Sequence, residues 1–400
     1  MTQPPTKRQS PTGADPRPGR DDIGSAEELH ELASRITGLD DFGDPGYQEG
    51  LEVLLESYRS DERLTRWGNK ATRVMLRDTL VARLLSQAGW KQHPEHAGAP
   101  VIAPVFVTGL PRTGTTALHR LLCADPAHQG LELWLTQVPQ PRPPRQSWAD
   151  HPVYQQMQQA LERHHVDNPE FMGVHYMSAD MVEECWQLLR QSMQSVSFES
   201  LAHIPTYATW LAESDWTGPY KRHRRNLQLI GLNDPGRRWV LKNPSHLFAL
   251  DALLEVYPDA MIVQTHRDPR AVIASSCSLS AQATDGQSEL FQGPVIGGDQ
   301  LELWARGADT FHQARQRFGP GRFFDVKYED FTANPLGTAE AIYRHFDLDL
   351  SEPARTAMAE VHRESTDGVA APSHRYTLEE FGLSGEEVDE RFSDYRRAYR

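Results

Sequence analysis

Short apolar runs that alternate with amphipathic stretches dominate the chain beyond residue 100. The runs lie at 105–107, 238–242, 261–265 and 323–328, and apolar side chains at helical spacing follow them. Buried strands joined by helices are typical of a mostly parallel sheet with helices on both faces. The pattern therefore predicts an α/β fold class with three layers, α/β/α, around one central sheet.

Helical patterns without strands flank and interrupt this core. We predict a helical N-terminal appendage at 24–95, packed on a main domain at 96–400. A role for the appendage in dimerisation or as a substrate lid is the alternative. The main domain carries a helical insert at about 150–232 and ends in a helical tail. Residues 1–23 are rich in Pro, Thr and charge, which predicts a disordered tail.

Single residues predict several element boundaries. Ser245 is placed to cap a helix, and glycines between 286 and 298 predict a loop before a helix at 301–318. Thr377 and Ser384 are each followed three residues later by Glu, which predicts two capping boxes.

The first apolar run leads into the most informative loop of the chain. Gly109 and Gly114 bound this loop, and a helix with leucines on one face begins at Thr115. Backbone N–H groups converge at such a helix start, so the loop predicts a cradle for a phosphate-like anion. The spacing is that of a P-loop, but Thr115 and Thr116 stand where nucleotide hydrolases carry Lys and then Ser or Thr. The cation is Arg112, inside the loop, which argues against an ordinary kinase or ATPase.

Two motifs resemble those of a known family. Pro111–Thr116 is similar to the 5′-phosphosulfate loop of sulfotransferases that use 3′-phosphoadenylyl sulfate (PAPS). The stretch 261–275 resembles their 3′-phosphate segment, a strand that ends in Arg267 with Ser275 eight positions later. The resemblance extends from about Val101 to the C-terminus and is closest to the bacterial-type branch.

The resemblance implies a donor site for PAPS without a metal. The loop residues would hold the 5′-phosphosulfate, the Arg267–Ser275 pair would clamp the 3′-phosphate, and Arg112 would also neutralise the leaving group. Arg375 would close over the 3′-phosphate from a C-terminal loop, with an ordinary exposed arginine as the alternative. The implied donor-binding residues are Arg112, Thr113, Gly114, Thr115, Thr116, Arg267, Ser275 and Arg375.

Lys242 resembles the family's lysine that touches the bridging oxygen of the donor. In the cytosolic branch a catalytic His follows that lysine by two residues, where this chain has Pro244. Other branches use a Glu after the phosphate-loop helix, and Glu132 falls in that region, so we predict Glu132 as general base. His246 is a second candidate, with an outward-facing position on its helix as the alternative. Further candidates are His175, Glu183 and Glu184.

Composition excludes several classes of protein. A net charge of −14 over 400 residues argues against a nucleic-acid partner. The chain has no long apolar run that predicts a membrane span, and its first residues lack the apolar core of a secretory signal. The three cysteines are far apart, which argues against a disulfide framework or a zinc site and predicts a cytoplasmic location.

The acceptor is predicted from the aromatic side chains of the insert. These are either core residues or the lining of an acceptor site for a small hydroxylated molecule such as a lipid, a phenol or a polyketide-like compound. A homodimer stays open. Two other functions also stay open, a P-loop kinase acting on a small molecule and a non-catalytic nucleotide-binding module.

Overall fold

Five parallel strands form the centre of the protein in the computed structural model, which describes residues 22–167, 177–367 and 376–399. The strands lie in the order β2-β3-β1-β4-β5. They are β1 (Val105–Gly109), β2 (His128–Gln129), β3 (Arg238–Lys242), β4 (Met261–His266) and β5 (Phe323–Lys327). The four predicted strands are confirmed, and β2 was missed because two residues carry no periodic pattern.

Helices make up most of the remaining described chain. In chain order the α-helices of these ranges are α1 (Ala26–Thr37), α2 (Tyr47–Ser60), α3 (Arg66–Gln92), α4 (Thr115–Cys123), α5 (Leu133–Gln137), α6 (Pro152–Asp167), α7 (Trp186–Arg190), α8 (Val196–Glu199), α9 (Pro205–Glu213), α10 (Thr217–Ile230), α11 (Leu250–Val256), α12 (Pro269–Ala283), α13 (Pro294–Arg315), α14 (Tyr328–Ala333), α15 (Pro335–His345), α16 (Glu352–Asp367), α17 (Gly385–Arg391) and α18 (Ser393–Tyr399).

The two faces of the sheet are buried against different sets of helices. Val107 and Val263 belong to a cluster with apolar side chains of α4, α15 and α16. Phe106 and Leu241 point to the opposite face of the sheet, because successive side chains of a strand alternate between the faces. They belong to a second cluster with side chains from α1 to α3 and from α7 to α13. Helices therefore cover both faces, and the predicted three-layer α/β/α arrangement is confirmed.

Four of the seven aromatic side chains that the structure describes in the insert are part of this second cluster. The residues with at most 6% exposure are Phe198, Tyr207, Trp216 and Tyr220. Trp186 and Trp210 are only partly buried and pack against the cluster. The buried residues stabilise the fold, so an acceptor site built on this insert would use the partly buried ones.

Three local predictions were wrong. Asn243, rather than Ser245, caps the short 3-10 helix Pro244–Phe248. The helix α13 begins at Pro294 and includes Gly297, where a Cβ would lie 2.1 Å from the carbonyl oxygen of Phe381, so this glycine permits close packing within a helix. Ile23, assigned to the disordered tail, is buried.

The other predictions at the chain ends had mixed outcomes. Ser384 forms the predicted capping box with Glu387, whereas Thr377 precedes only a 3-10 helix at Glu379–Phe381. Residues 1–21 of the predicted tail lie outside the described residues.

The fold places four strand ends at one edge of the sheet. Because the strands are parallel, the carboxyl ends Gly109, Lys242, His266 and Lys327 lie side by side. The chain passes from β1 to β2 and β3 on one side and then to β4 and β5 on the other. Ligands of open α/β sheets bind at the carboxyl ends where the strand order reverses, so the crevice beside β1 is the candidate site.

Candidate active site

The loop between β1 and α4 has the backbone of an anion cradle. Gly109 has φ +145°, and a Cβ there would lie 2.4 Å from the Thr265 hydroxyl, so only glycine fits between β1 and β4. Gly114 has φ +86° and begins α4 without a side-chain cap, which leaves the first N–H groups of the helix available to an anion. Arg112 has φ +65°, a conformation that costs about 1–3 kcal/mol in a residue with a side chain.

The threonines of the loop divide into structural and exposed hydroxyls. The buried hydroxyl of Thr113 donates to the carbonyl of Leu110 over 2.6 Å and lies 2.5 Å from the Thr265 hydroxyl, so it holds the loop to β4. Thr115 is also buried. Thr116 is half-exposed at the start of α4, where its hydroxyl accepts a hydrogen bond from Lys242.

A second group of residues joins the loop to β4 and α12. The Arg112 Nε donates to the Ser275 hydroxyl over 3.0 Å. The Arg267 guanidinium donates to the Arg112 carbonyl over 2.8 Å and stacks on the Tyr328 ring, 4.0 Å from its centroid. A Cβ on Gly114 would lie 3.3 Å from the same ring. We call Arg112, Arg267 and Ser275 the arginine clamp; the structure brings together these three residues of the predicted donor site.

Lys242 lies at the end of β3 with its side chain only 3% exposed. Its Nζ donates to the Thr116 hydroxyl over 3.0 Å and forms an ion pair with the Glu184 carboxylate. The second oxygen of Glu184, Oε2, is buried and has no hydrogen-bond partner among the described residues. A cationic amine, a hydroxyl and a carboxylate that can accept a proton therefore meet beside the anion cradle.

Backbone pairing explains why Glu184 reaches this position. The Cys185 N–H donates to the Lys242 carbonyl over 3.0 Å, and the Glu183 N–H donates to the Leu131 carbonyl over 2.8 Å. The segment 182–185 is thus attached beside the end of β3, and Glu184 points to Lys242.

Glu132 is held elsewhere. Its Oε2 accepts hydrogen bonds from Arg142 Nε at 3.1 Å and from the Arg142 terminal nitrogen at 2.9 Å. Arg142 is buried and also binds the Gln129 and Asp234 side chains. A carboxylate in such a buried ion pair stabilises the fold by neutralising the arginine. The base role predicted for Glu132 stays a prediction, but the observed contacts favour Glu184.

His246 faces inward and is fully buried. Its Nδ1 lies 2.7 Å from the Tyr220 hydroxyl, and burial holds its pKa well below the usual value. The alternative of an outward-facing surface histidine is therefore wrong, and a catalytic role for His246 stays a prediction that these contacts do not favour. Arg375 and His175 lie outside the described residues.

The buried histidine beneath Lys242 is neutral. Burial lowers the pKa of His119 to about 3, and the nearby Lys242 charge acts in the same direction. Its Nε2 donates to the Val240 carbonyl over 3.0 Å. Because His119 carries no charge, Lys242 meets no repulsion from it.

The described residues contain neither a metal-binding cluster nor a membrane-spanning helix. No group of three or more His, Cys, Asp or Glu side chains is arranged to hold a metal ion in the described ranges. Within the same part of the chain, no helix is long and apolar enough to cross a membrane.

Comparison with known proteins identifies the architecture. The model of the sulfotransferase family matches residues 104–352, which is more than half of the chain. The chain belongs to the sulfotransferase family. The predicted resemblance is confirmed, and the match includes the cradle, Glu184, Lys242 and the arginine clamp.

Bacterial members of the family are similar to this chain over most of its length. Sulfotransferase STF1 from Mycobacterium tuberculosis H37Rv is 53% identical, with a TM-score of 0.88 over 94% of this chain and 100% of that protein. Sulfotransferase STF9 from Mycobacterium avium is 28% identical, with a TM-score of 0.86 over 95% of this chain and 98% of that protein.

A more distant relative has a name that states its acceptor. The omega-hydroxy-beta-dihydromenaquinone-9 sulfotransferase Stf3 of Mycobacterium bovis and of Mycobacterium tuberculosis is 26% identical over 253 residues. The match spans 61% of this chain and 63% of the length of those relatives.

Two residues of the site were missed or undervalued from the sequence. Glu184 was only one of several candidate carboxylates, because its approach to Lys242 depends on a contact across 58 positions. Tyr328 was assigned to a strand, although it directly follows the end of β5 at the edge where the other site residues lie. That position was the available signal, since side chains after parallel strands converge there.

Proposed function

We propose that this sulfotransferase-family protein uses PAPS to sulfate a hydroxyl of a small, apolar acceptor. The observation that carries the proposal is the contact of Lys242 with both Thr116 and Glu184 at the edge of the P-loop-like cradle. A lysine at this place suits the leaving-group oxygen, and a carboxylate suits the acceptor proton.

The donor fits the charges of the site. The cradle N–H groups of α4 and the Thr116 hydroxyl would hold the 5′-phosphosulfate, and Arg267 with Ser275 of the arginine clamp would hold the 3′-phosphate. Tyr328 supports the clamp, because it holds the Arg267 guanidinium by stacking. Three cations, Arg112, Lys242 and Arg267, balance an anionic donor without a metal ion.

The proposed step is an in-line displacement at sulfur. The acceptor oxygen forms the new bond to sulfur while the bond from sulfur to the bridging phosphate oxygen breaks. Glu184 takes the hydroxyl proton, and the electron pair of the broken bond stays on the leaving 3′-phosphoadenosine 5′-phosphate (PAP). Lys242 and Arg112 neutralise the charge on that phosphate. Once the donor phosphate engages Lys242, the Glu184 carboxylate is released for the proton.

An apolar acceptor is supported by one relative and by the insert. The name of Stf3 specifies a hydroxylated menaquinone derivative, which is an apolar molecule with a hydroxyl end. The partly buried Trp186 directly follows Glu184 and Cys185 in the insert and provides apolar surface near the proposed base. The cytoplasmic location and the homodimer stay predictions; the three unbonded cysteines support a reducing compartment.

Calorimetric binding of PAP, with ATP and ADP as competitors, tests the donor site. We expect micromolar binding of PAP that discriminates against ADP and is lost in Arg267→Ala. Arg317→Ala is the matched control, because Arg317 is an exposed arginine paired with Asp251 away from the clamp. Preference for ATP with magnesium would overturn the proposal in favour of a kinase, and binding without turnover on any hydroxylated lipid or phenol would favour a non-catalytic module.

A further inference from the structure

The C-terminal helices α17 and α18 pack beside the arginine clamp. Val388, Phe392 and Tyr395 are buried in the core cluster, which anchors both helices. Arg391 donates to Glu302 and Asp309 of α13 over 2.7–3.0 Å. We call residues 384–399 the C-terminal brace.

The first contact of the brace is with the residues at the end of β4. The Tyr395 hydroxyl lies 3.0 Å from Nδ1 of His266, the residue directly before Arg267. His266 Nε2 lies 2.9 Å from Asp325, which accepts two hydrogen bonds from Arg315. Burial lowers the pKa of His266, so the ring is neutral. Since the Asp325 carboxylate only accepts, Nε2 carries the proton and Nδ1 accepts from the Tyr395 O–H.

The buried Tyr395 hydroxyl is therefore attached to the residue directly before Arg267. Burial raises the pKa of Tyr395, so the hydroxyl keeps its proton and donates it to the His266 ring.

The second contact is with the first turn of α12, the helix that carries Ser275. Arg270 donates to both oxygens of Asp389 over 2.9 and 2.7 Å. Asp389 also forms an ion pair with Arg396. Gly385 lies against the Arg270 guanidinium, where a Cβ would be 2.9 Å from its central carbon. The brace thus contacts the elements next to two of the three clamp residues, the end of β4 before Arg267 through His266 and the helix α12 with Ser275 through Arg270.

We propose that Tyr395 and Asp389 are positioning residues that set the arginine clamp for the 3′-phosphate of the donor. This inference rests on the proposed function, because it assigns that phosphate to Arg267 and Ser275. Removal of the Tyr395 hydroxyl leaves Nδ1 of the His266 ring, directly before Arg267, without its hydrogen-bond partner. The Arg267 side chain is then less restrained, so ligands that carry a 3′-phosphate bind with lower affinity.

The test compares PAP with adenosine 5′-phosphate (AMP), which lacks the 3′-phosphate, by competition calorimetry on the full chain. For Tyr395→Phe we expect PAP binding to weaken about tenfold, the effect of one well-placed hydrogen bond, and AMP binding to stay the same. For Asp389→Asn we expect a weakening of about threefold, again for PAP alone, because the pair with Arg270 is partly exposed.

Tyr399→Phe is the matched control. Tyr399 stacks on the same His266 ring at 4.1 Å, but its hydroxyl lies near His312 rather than Arg267, so PAP affinity should not change. If the natural protein prefers PAP and both Tyr395→Phe and Asp389→Asn keep that preference, the inference is overturned while the donor site stands. An equal loss of PAP and AMP affinity also overturns it, since it shows a general structural effect. If the natural protein itself does not prefer PAP over AMP, the proposed donor site fails.

Discussion

Replacement of Glu184 by Gln tests the proposed general base. The substitution keeps the shape of the side chain and an oxygen that accepts from Lys242, while Lys242 keeps its 3.0 Å hydrogen bond to Thr116. What the variant loses is the capacity to take the acceptor proton. We therefore expect the donor to bind normally and the transfer step to fail.

The expected magnitude follows from that single loss. A positioned general base contributes about 10²–10⁴-fold to a rate, or about 3–5 kcal/mol of transition-state stabilisation. We expect kcat of Glu184→Gln to fall within that range at saturating donor. Lys242 is almost fully buried, so Glu184→Gln without ligand also loses stability because the lysine has no counter-charge. PAP should restore part of this stability, because its phosphate supplies that counter-charge.

Two carboxylates of the same region provide matched controls. Glu183→Gln changes the neighbouring residue, whose backbone pairs with Leu131, and should leave kcat unchanged. Glu132→Gln breaks the ion pair with Arg142, whose side chains are 11% and 5% exposed, and should cost about 3–5 kcal/mol of unfolding free energy. When kcat is corrected for the fraction of folded protein, Glu132→Gln should have the same kcat as the natural protein.

The assay is steady-state transfer of labelled sulfate from PAPS, at saturating donor, to a hydroxylated lipid or phenol, with PAP affinity and urea unfolding measured on the same samples. An unchanged kcat in Glu184→Gln would refute the reasoning. Loss of kcat in Glu132→Gln without loss of stability would transfer the base role to Glu132, as the sequence alone predicted.

Three further substitutions test other parts of the structure. Lys242→Met removes the leaving-group cation and should lower kcat by about 10²–10³-fold in the same assay, with smaller effects on an acceptor whose transfer is limited by product release. Burial lowers the pKa of His223 to about 3 from 6.5, so the unfolded chain binds more protons between these values and the unfolding free energy falls as the pH falls. At pH 5.5 this ring lowers the unfolding free energy by about 1.4 kcal/mol. In urea titrations, the decrease of the unfolding free energy from pH 7.5 to pH 5.5 should therefore be smaller in His223→Gln by that amount. Gly109→Ala should lower the unfolding free energy by at least about 2 kcal/mol in urea at pH 7.5, because its Cβ would meet Thr265; a stable variant would mean that β1 and β4 separate easily there.

The loop, the strands beside it and the clamp could be predicted because their signals are local. The glycines at 109 and 114, the buried run before them and the eight-residue spacing from Arg267 to Ser275 all lie within single strand-to-helix units. Within such a unit, backbone geometry determines where the side chains go. The same local logic failed at Ser245, where the side chain of Asn243 caps the 3-10 helix instead. It also failed at Gly297, where close packing against the distant Phe381 carbonyl occurs within a helix.

The sequence by itself determined the fold class and the Gly-bounded loop with its neighbouring cations, because short-range periodicity and spacing specify strands, turns and helix starts. The tertiary structure decided which carboxylate meets Lys242. Glu132 and Glu184 both lie near the end of β3, but the backbone pairing of 182–185 turns Glu184 to Lys242 while the buried Arg142 holds Glu132. The structure also decided that Tyr395, 129 positions after His266, forms a hydrogen bond with this residue directly before Arg267. Contacts over such separations depend on how whole helices pack, and no local pattern in the chain specifies them.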